Sequence, residues 1–162
     1  MQNPGDYLVH DRIGDEASAA AIERAGLTGR EAVHPRDLSG GERQRLALEL
    51  VLDSDDLALA CLDEPTRGMD PARKLVLAER LRALAADGVA VLVATHDAEF
   101  AAELADRVVL MGKGTVIADG PASEVLCGGW HFATEVARVL GGAGGALTPE
   151  QGAAVLQREL VP

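Results

Sequence analysis

The stretch LALACLDEPTRGMD, Leu57 to Asp70, decides the fold of this chain. Its first six residues are apolar and stand between acids, Asp55-Asp56 before them and Asp63-Glu64 after. A short continuous apolar run of this kind predicts a strand buried on both faces, as in a parallel sheet. The strand delivers two adjacent carboxylates at its carboxyl end, the edge at which ligands of open α/β sheets gather. Asp63 can hold Mg²⁺ directly or through water, because that ion takes oxygen ligands and keeps several waters. Glu64 can polarise an attacking water. A solvated acidic turn is the plain alternative for such a pair taken alone. Asp70-Pro71 then predicts a helix start, with Asp as N-cap and Pro in the first helical position.

Downstream, Leu77, Leu81 and Leu84 mark the buried face of that helix, and Gly88 closes it. VAVLVA, Val89 to Ala94, predicts a second buried strand, followed by a helix from Asp97 to about Ala105. Strand, helix, strand and helix at these lengths imply parallel βαβ units. Val108 to Met111 and Thr115 to Ala118 flank Gly112-Lys113-Gly114, the signature of a hairpin. The segment LVATHD sets His96 just past the second strand, where an imidazole can bond a phosphate oxygen and orient a nucleophile. His10, His34 and His131 have no such setting and read as structural. Beyond Cys127 the character changes: GGAGGALTPE, Gly141 to Glu150, reads as a flexible joint before a short helix, Gln151 to Leu160.

Upstream, Asp15 to Ala25 reads as one alanine-rich helix stopped at Gly26. Then comes LSGGERQR, Leu38 to Arg45. Ser39 and Glu42 have the S-x-x-E spacing of a capping box, each side chain satisfying an amide at a helix start. Ala47, Leu50 and Val51 give that helix an apolar stripe, and Asp53 to Asp56 end it. Bare glycines let another molecule approach the backbone, and a helix start with free amides suits an anion. A capped helix after a glycine loop is the plain alternative.

Composition excludes several classes. The 162 residues suit one domain of common size. Aromatic residues make up 2% and the net charge is −11, so neither base stacking nor a basic face supports nucleic-acid binding. Cys61 and Cys127 lack metal-ligand spacing, Cys61 reads as a small core residue, and no disulfide framework is present, which predicts a reducing cytoplasm. MQNPGDYLVHDR has neither the basic nor the apolar part of a signal peptide, and no apolar run approaches the ~20 residues that span a bilayer.

Together these segments resemble the nucleotide-binding subunits of ABC transporters. Leu38 to Gln44 resembles the signature motif, with Glu42 where Gln is commoner. Leu59 to Glu64 is similar to Walker B, Gly68 to Asp70 to the D-loop, His96 to the switch histidine and Gln2-Asn3-Pro4 to the Q-loop. The motifs follow the family's order from Gln2 to about Leu126. The resemblance implies a P-loop NTPase fold of ABC type: α/β, a partial parallel sheet with flanking helices, a small helical signature subdomain over about 6–52 and a C-terminal β-hairpin. Residues 1–126 would be the ATPase part and 127–162 a C-terminal extension. It also implies ATP and Mg²⁺ as cofactors. Gln2 would contact Mg²⁺ and the attacking water, and couple to the membrane partner. Ser39, Gly40, Gly41 and Glu42 would bind ATP held by the opposite subunit of a head-to-tail dimer. Asp63 would support Mg²⁺, Glu64 would be the general base, His96 would hold the γ-phosphate and Asp70 would bridge the two sites. The implied partners are a second ATPase subunit and a transmembrane coupling subunit, at the cytoplasmic face of the cell membrane. QNPGDYLVHDRIGDE, DEPTRGMD and THDAEFAAELADRVVLMGKGTVIADGP are most similar to the ATPases of energy-coupling-factor importers, which take up vitamins or nickel and cobalt ions.

The family's phosphate loop, G-x-x-x-x-G-K-[ST], has no match in these residues, which begin inside the Q-loop. Most β- and γ-phosphate binding in a P-loop enzyme comes from that loop's amides and lysine. The expectation is a chain that does not hydrolyse ATP alone and leaves the edge of LALACL unpaired, an aggregation hazard. A regulatory module that docks on an intact ATPase without catalysis is the alternative from another class. An ATPase of the DNA-repair type is disfavoured, because Asp6 to Asp37 is too short for its coiled-coil insertion and the charge is wrong.

Overall fold

The computed structural model describes residues 7–54, 56–129 and 132–160. Gln2-Asn3-Pro4 and His131 lie outside them. The described residues fall into two compact units, one within 1–71 and 81–94, the other within 72–80 and 95–162.

The first unit begins with two short helices, α1 (Ile13–Glu16) and α2 (Ala19–Arg24). The sequence predicts one helix here. It breaks because Ala17 is extended and the Ser18 hydroxyl accepts from the Ala21 amide, so that Ser18 caps a new helix. Gly26, at φ +71, ends α2 as predicted. After a 3₁₀ turn at Pro35–Asp37 comes α3 (Gly40–Leu52). Ile13, Ile22, Ala25, Leu27, Leu38 and Leu46 form one buried cluster, so Leu38 anchors the α3 start from inside. The predicted stripe on α3 is displaced. Ala47 is buried, whereas Leu50 and Val51 are half-buried and Leu46, Leu48 and Leu52 take the inner positions. Arg24 ties α2 to the far end of α3 by pairing Glu49 at 2.6 Å and also Asp53, which accepts from the Ser18 hydroxyl at 2.8 Å.

Strands β1 (Leu59–Asp63) and β2 (Ala90–Ala94) pair in parallel, Leu59 opposite Ala90 and Asp63 opposite Ala94. The crossover between them contains α4 (Pro71–Ala86), with Pro71 as its first residue. The βαβ reading therefore holds, but burial on both faces does not. Ala60 and Leu62 are buried, whereas Leu59 is 55% and Leu92 63% exposed, and Cys61 is exposed too. Cys61 is thus no core residue. Successive side chains on a strand point to opposite faces, and among the described residues only one face of this two-stranded sheet is covered.

The second unit holds α5 (Ala98–Leu104), the antiparallel hairpin of β3 (Arg107–Gly112) and β4 (Thr115–Pro121), and α6 (Ala122–Val125). Of the predicted Gly112-Lys113-Gly114, Gly112 ends β3 and the turn is Lys113-Gly114, with φ of +50 and +78, positive at both central positions as a type I′ turn requires. Next come α7 (Glu135–Leu140), a 3₁₀ turn at Ala143–Gly145 and α8 (Pro149–Leu160). Ala122, Leu126, Ala137 and Leu147 share one buried cluster. The glycine-rich stretch is therefore not a bare joint: it carries Ala146 and Leu147 into the core at 2% and 4% exposure. No described helix is long and apolar enough to cross a membrane.

Candidate functional site

The start of α3 is built as the sequence predicts. The Ser39 hydroxyl accepts from the Glu42 amide at 3.3 Å, and the Ser39 amide donates to the Glu42 carboxylate at 2.7 Å. Arg30 adds an ion pair to the other carboxylate oxygen. The Ser39 amide bond, then the Ser39 hydroxyl, and further down the Arg30 charge hold the Glu42 carboxyl below its ordinary value of 4.5, against a small opposing desolvation. Gly40 and Gly41 follow the cap. A Cβ built on Gly40 would meet nothing within 4 Å, and one on Gly41 only an Arg45 guanidinium nitrogen at 3.6 Å. Gly costs a helix about 1 kcal/mol relative to Ala. Nothing in this chain's own packing requires that cost at Gly40, whereas close approach by an outside molecule would.

At the carboxyl end of β1, Asp63 is exposed and Glu64 half-buried, with Pro65 and Thr66 buried behind them. Glu64 has φ +46, in the left-handed region, where a non-glycine residue costs about 1–2 kcal/mol. Its amide donates to the Ala94 carbonyl at 2.8 Å, one step beyond the β1–β2 ladder. Its carbonyl accepts from the Arg67 amide at 3.2 Å, and Met69 bonds back to Thr66 at 3.0 Å, folding residues 64–69 tightly. Asp70 is exposed just before α4.

The structure also places Gln44, which the sequence reading left without a role. From the second turn of α3 its side-chain nitrogen donates to the carbonyls of Glu64, at 3.3 Å, and Pro65, at 3.2 Å. Within the first unit the LSGGERQR helix and the carboxylate loop are therefore hydrogen-bonded to each other. The only hint in the sequence was a polar side chain two positions past the capping box.

His96 belongs to the second unit and is exposed. Its neighbour Asp97 caps α5, accepting from the Phe100 amide at 3.0 Å, and pairs Lys74 at 2.6 Å, while the Asp97 amide donates to the Thr95 hydroxyl at 3.1 Å. Burial, the largest single influence, pushes the Asp97 carboxyl up. The Lys74 bond, the Phe100 amide and the charges of Lys74 and His96 outweigh it, leaving the carboxyl below its ordinary 3.8. Lys74 was not singled out by sequence. Among the described residues no three or more His, Cys, Asp and Glu converge as a metal cage. A magnesium ion held by one or two carboxylates and a nucleotide's phosphates needs no such cage, and Asp63 fits that donor chemistry.

This arrangement, a parallel βαβ unit with adjacent carboxylates at its strand end and a glycine-opened helix whose Gln44 bonds the backbone of that same loop, is the fold of the P-loop NTPase class. The chain is 46% identical over 152 residues to a Streptomyces coelicolor protein provisionally named an ABC transporter ATP-binding protein; 86% of this chain is matched but only 27% of that protein. It is 47% identical over 106 residues to the aliphatic sulfonates import ATP-binding protein SsuB 2 of Mesorhizobium japonicum, covering 64% of this chain and 42% of that protein. Among solved structures it resembles cbiO1 of Clostridium perfringens, part of the ABC transporter complex cbiONQ. There the TM-score is 0.60 at 25% identity, over 76% of this chain and 56% of that one. The chain matches no protein-family model. It spans about a quarter of the length of the first curated relatives it matches. The stretch of sequence in this chain belongs to the ATP-binding proteins of ABC transporters, and its fold is of their ATPase type.

Proposed function

We propose that these residues form the signature and Walker B part of an ATPase that drives an ABC importer of the energy-coupling-factor type, taking up a vitamin or a transition-metal ion. The observation that carries the reading is the α3 start: a capped, outward-facing helix N-terminus whose glycine at position 40 is unexplained by internal packing. Ser39, Gly40, Gly41 and Glu42 would receive the γ-phosphate of ATP bound by a partner ATPase in a head-to-tail dimer. Asp63 would hold Mg²⁺, which supplies charge neutralisation at the phosphates when bound. Glu64 would take the proton of the attacking water, His96 would hold the γ-phosphate, and Gln2 and Asp70 would serve the Q-loop and D-loop. Residues 1–126 would be the ATPase part and 127–162 its extension, working against a transmembrane coupling subunit at the cytoplasmic face. A phosphate loop must come from other residues, so the 162-residue chain alone would not hydrolyse ATP.

The test is a titration of the purified chain with MgATP, then with the ATP-loaded Streptomyces coelicolor relative carrying a hydrolysis-blocking substitution. The expected result is no binding of MgATP at micromolar concentration by the chain alone, and ATP-dependent association with the relative. Micromolar binding by the lone chain, or association indifferent to ATP, would sink the proposal.

A further inference from the structure

We infer that Gln44 is a positioning residue for Glu64: its side-chain amide clamps two consecutive carbonyls and thereby fixes where the Glu64 carboxylate is presented. The inference rests on the reading of Glu64 as the base. A glutamine NH₂ carries two hydrogens, and here it meets two acceptors, the carbonyls of Glu64 and Pro65 at 3.3 and 3.2 Å. The donor is delivered from a fixed place, since α3 is held at its start by the capping box and by buried Leu38 and Leu46.

The acceptors lie where restraint is needed. Glu64 sits at φ +46, and such a conformation persists in a non-glycine residue only when its surroundings over-determine it. On one side its amide is bound to Ala94. On the other its carbonyl is held by the Arg67 amide and by Gln44. Pro65 has no amide hydrogen to contribute, and its carbonyl is taken by the same glutamine nitrogen. Gln44 thus reaches the two consecutive peptide units that follow Glu64. A second consequence follows from its position five residues after Ser39. The helix whose start carries the cap is therefore the same element that holds the carboxylate loop.

The experiment uses the full 162-residue chain, labelled for NMR, with Gln44→Leu, which keeps the bulk and loses both donors, and Gln44→Lys, which keeps a donor. Expected in Gln44→Leu are displaced carbonyl resonances of Glu64 and Pro65 and at least tenfold faster hydrogen exchange of the Glu64 amide. The amides of Leu62 and Val93 should stay within twofold, and Gln44→Lys should recover at least half of the change. A second comparison uses Glu64→Gly, which adopts positive φ without penalty. In that background Gln44→Leu should alter exchange at position 64 less than twofold. Unchanged Glu64 resonances in Gln44→Leu, uniform acceleration along β1, or equal acceleration in both backgrounds would overturn the inference. None of these readouts involves nucleotide. The reading of Glu64 as base fails separately, if Glu64→Gln leaves hydrolysis intact in an assembled ATPase containing this sequence.

Discussion

Replacing Ser39 by aspartate separates the two roles the α3 start has to fill. As a helix cap, aspartate ranks with serine, whereas Ser39→Ala costs about 1 kcal/mol. The Ser39 hydroxyl accepts from the Glu42 amide at 3.3 Å, a long bond, so the alanine cost falls toward the lower half of the usual range. A carboxylate at the helix N-terminus gains about 0.3–1 kcal/mol from the dipole. It also faces the Glu42 carboxylate, whose charge Arg30 offsets. The sum lies within about 1 kcal/mol of wild type, or roughly 2–4 °C in melting temperature for a chain this long. Binding should respond differently. The new carboxylate would stand where the proposed function places a γ-phosphate, and like charges in contact cost several kcal/mol. Even about 2.7 kcal/mol is a hundredfold in affinity. Thermal unfolding by circular dichroism should place Ser39→Asp at or above Ser39→Ala in stability. Sedimentation with the ATP-loaded Streptomyces coelicolor relative should show at least a hundredfold weaker association. An aspartate variant that melts below the alanine variant would refute the capping argument, and one that binds normally would refute the phosphate argument.

Other outcomes follow from the same geometry. Because the Glu42 carboxyl is held below 4.5 in the folded chain, the stability it contributes is present above about pH 4.5 and lost as pH falls through its folded value; acid unfolding should therefore be less steep in Glu42→Gln. In Lys74→Met the burial of Asp97 is no longer outweighed, so its carboxyl should titrate at higher pH by ¹³C NMR, and an unmoved or lowered value would contradict the balance described. Exposed Cys61 should react with a thiol reagent on the order of tenfold faster than Cys127, whose thiol is pushed up by burial, and equal rates would show the β1 face to be covered. Lys113→Asn would put the favoured Asn-Gly pair in the type I′ turn, and should stabilise the hairpin by about 0.5 kcal/mol in a denaturant titration.

What the sequence revealed was local. The Ser39–Glu42 box, Pro71 opening α4 and the hairpin at Gly112-Lys113-Gly114 each depend on residues a few positions apart, and each formed as read. The misses depend on distant chain. Whether Leu59, Cys61 and Leu92 are buried is decided by what lies over that face, and an apolar run looks the same either way. Leu147 reaches a core because Ala122, Leu126 and Ala137 are there to meet it, which glycine-rich composition does not announce. The break at Ala17-Ser18 did have a local sign, a serine ahead of AAAIER, masked by the alanines around it. For the candidate site, residue types and their order were legible. The turn of the backbone at Glu64 and the glutamine that grips it were not, because a left-handed φ in glutamate and a twenty-residue hydrogen bond leave no pattern in the chain.

The left-handed glutamate also bears on how variants of this protein should be selected. Glycine at position 64 would relieve about 1–2 kcal/mol of backbone strain, so a library sorted for heat resistance or expression yield would favour its loss. Every such winner would lack the carboxylate that the proposed chemistry uses. A stability screen of this chain would therefore have to hold position 64 constant, or it would enrich folded proteins that no longer have a base.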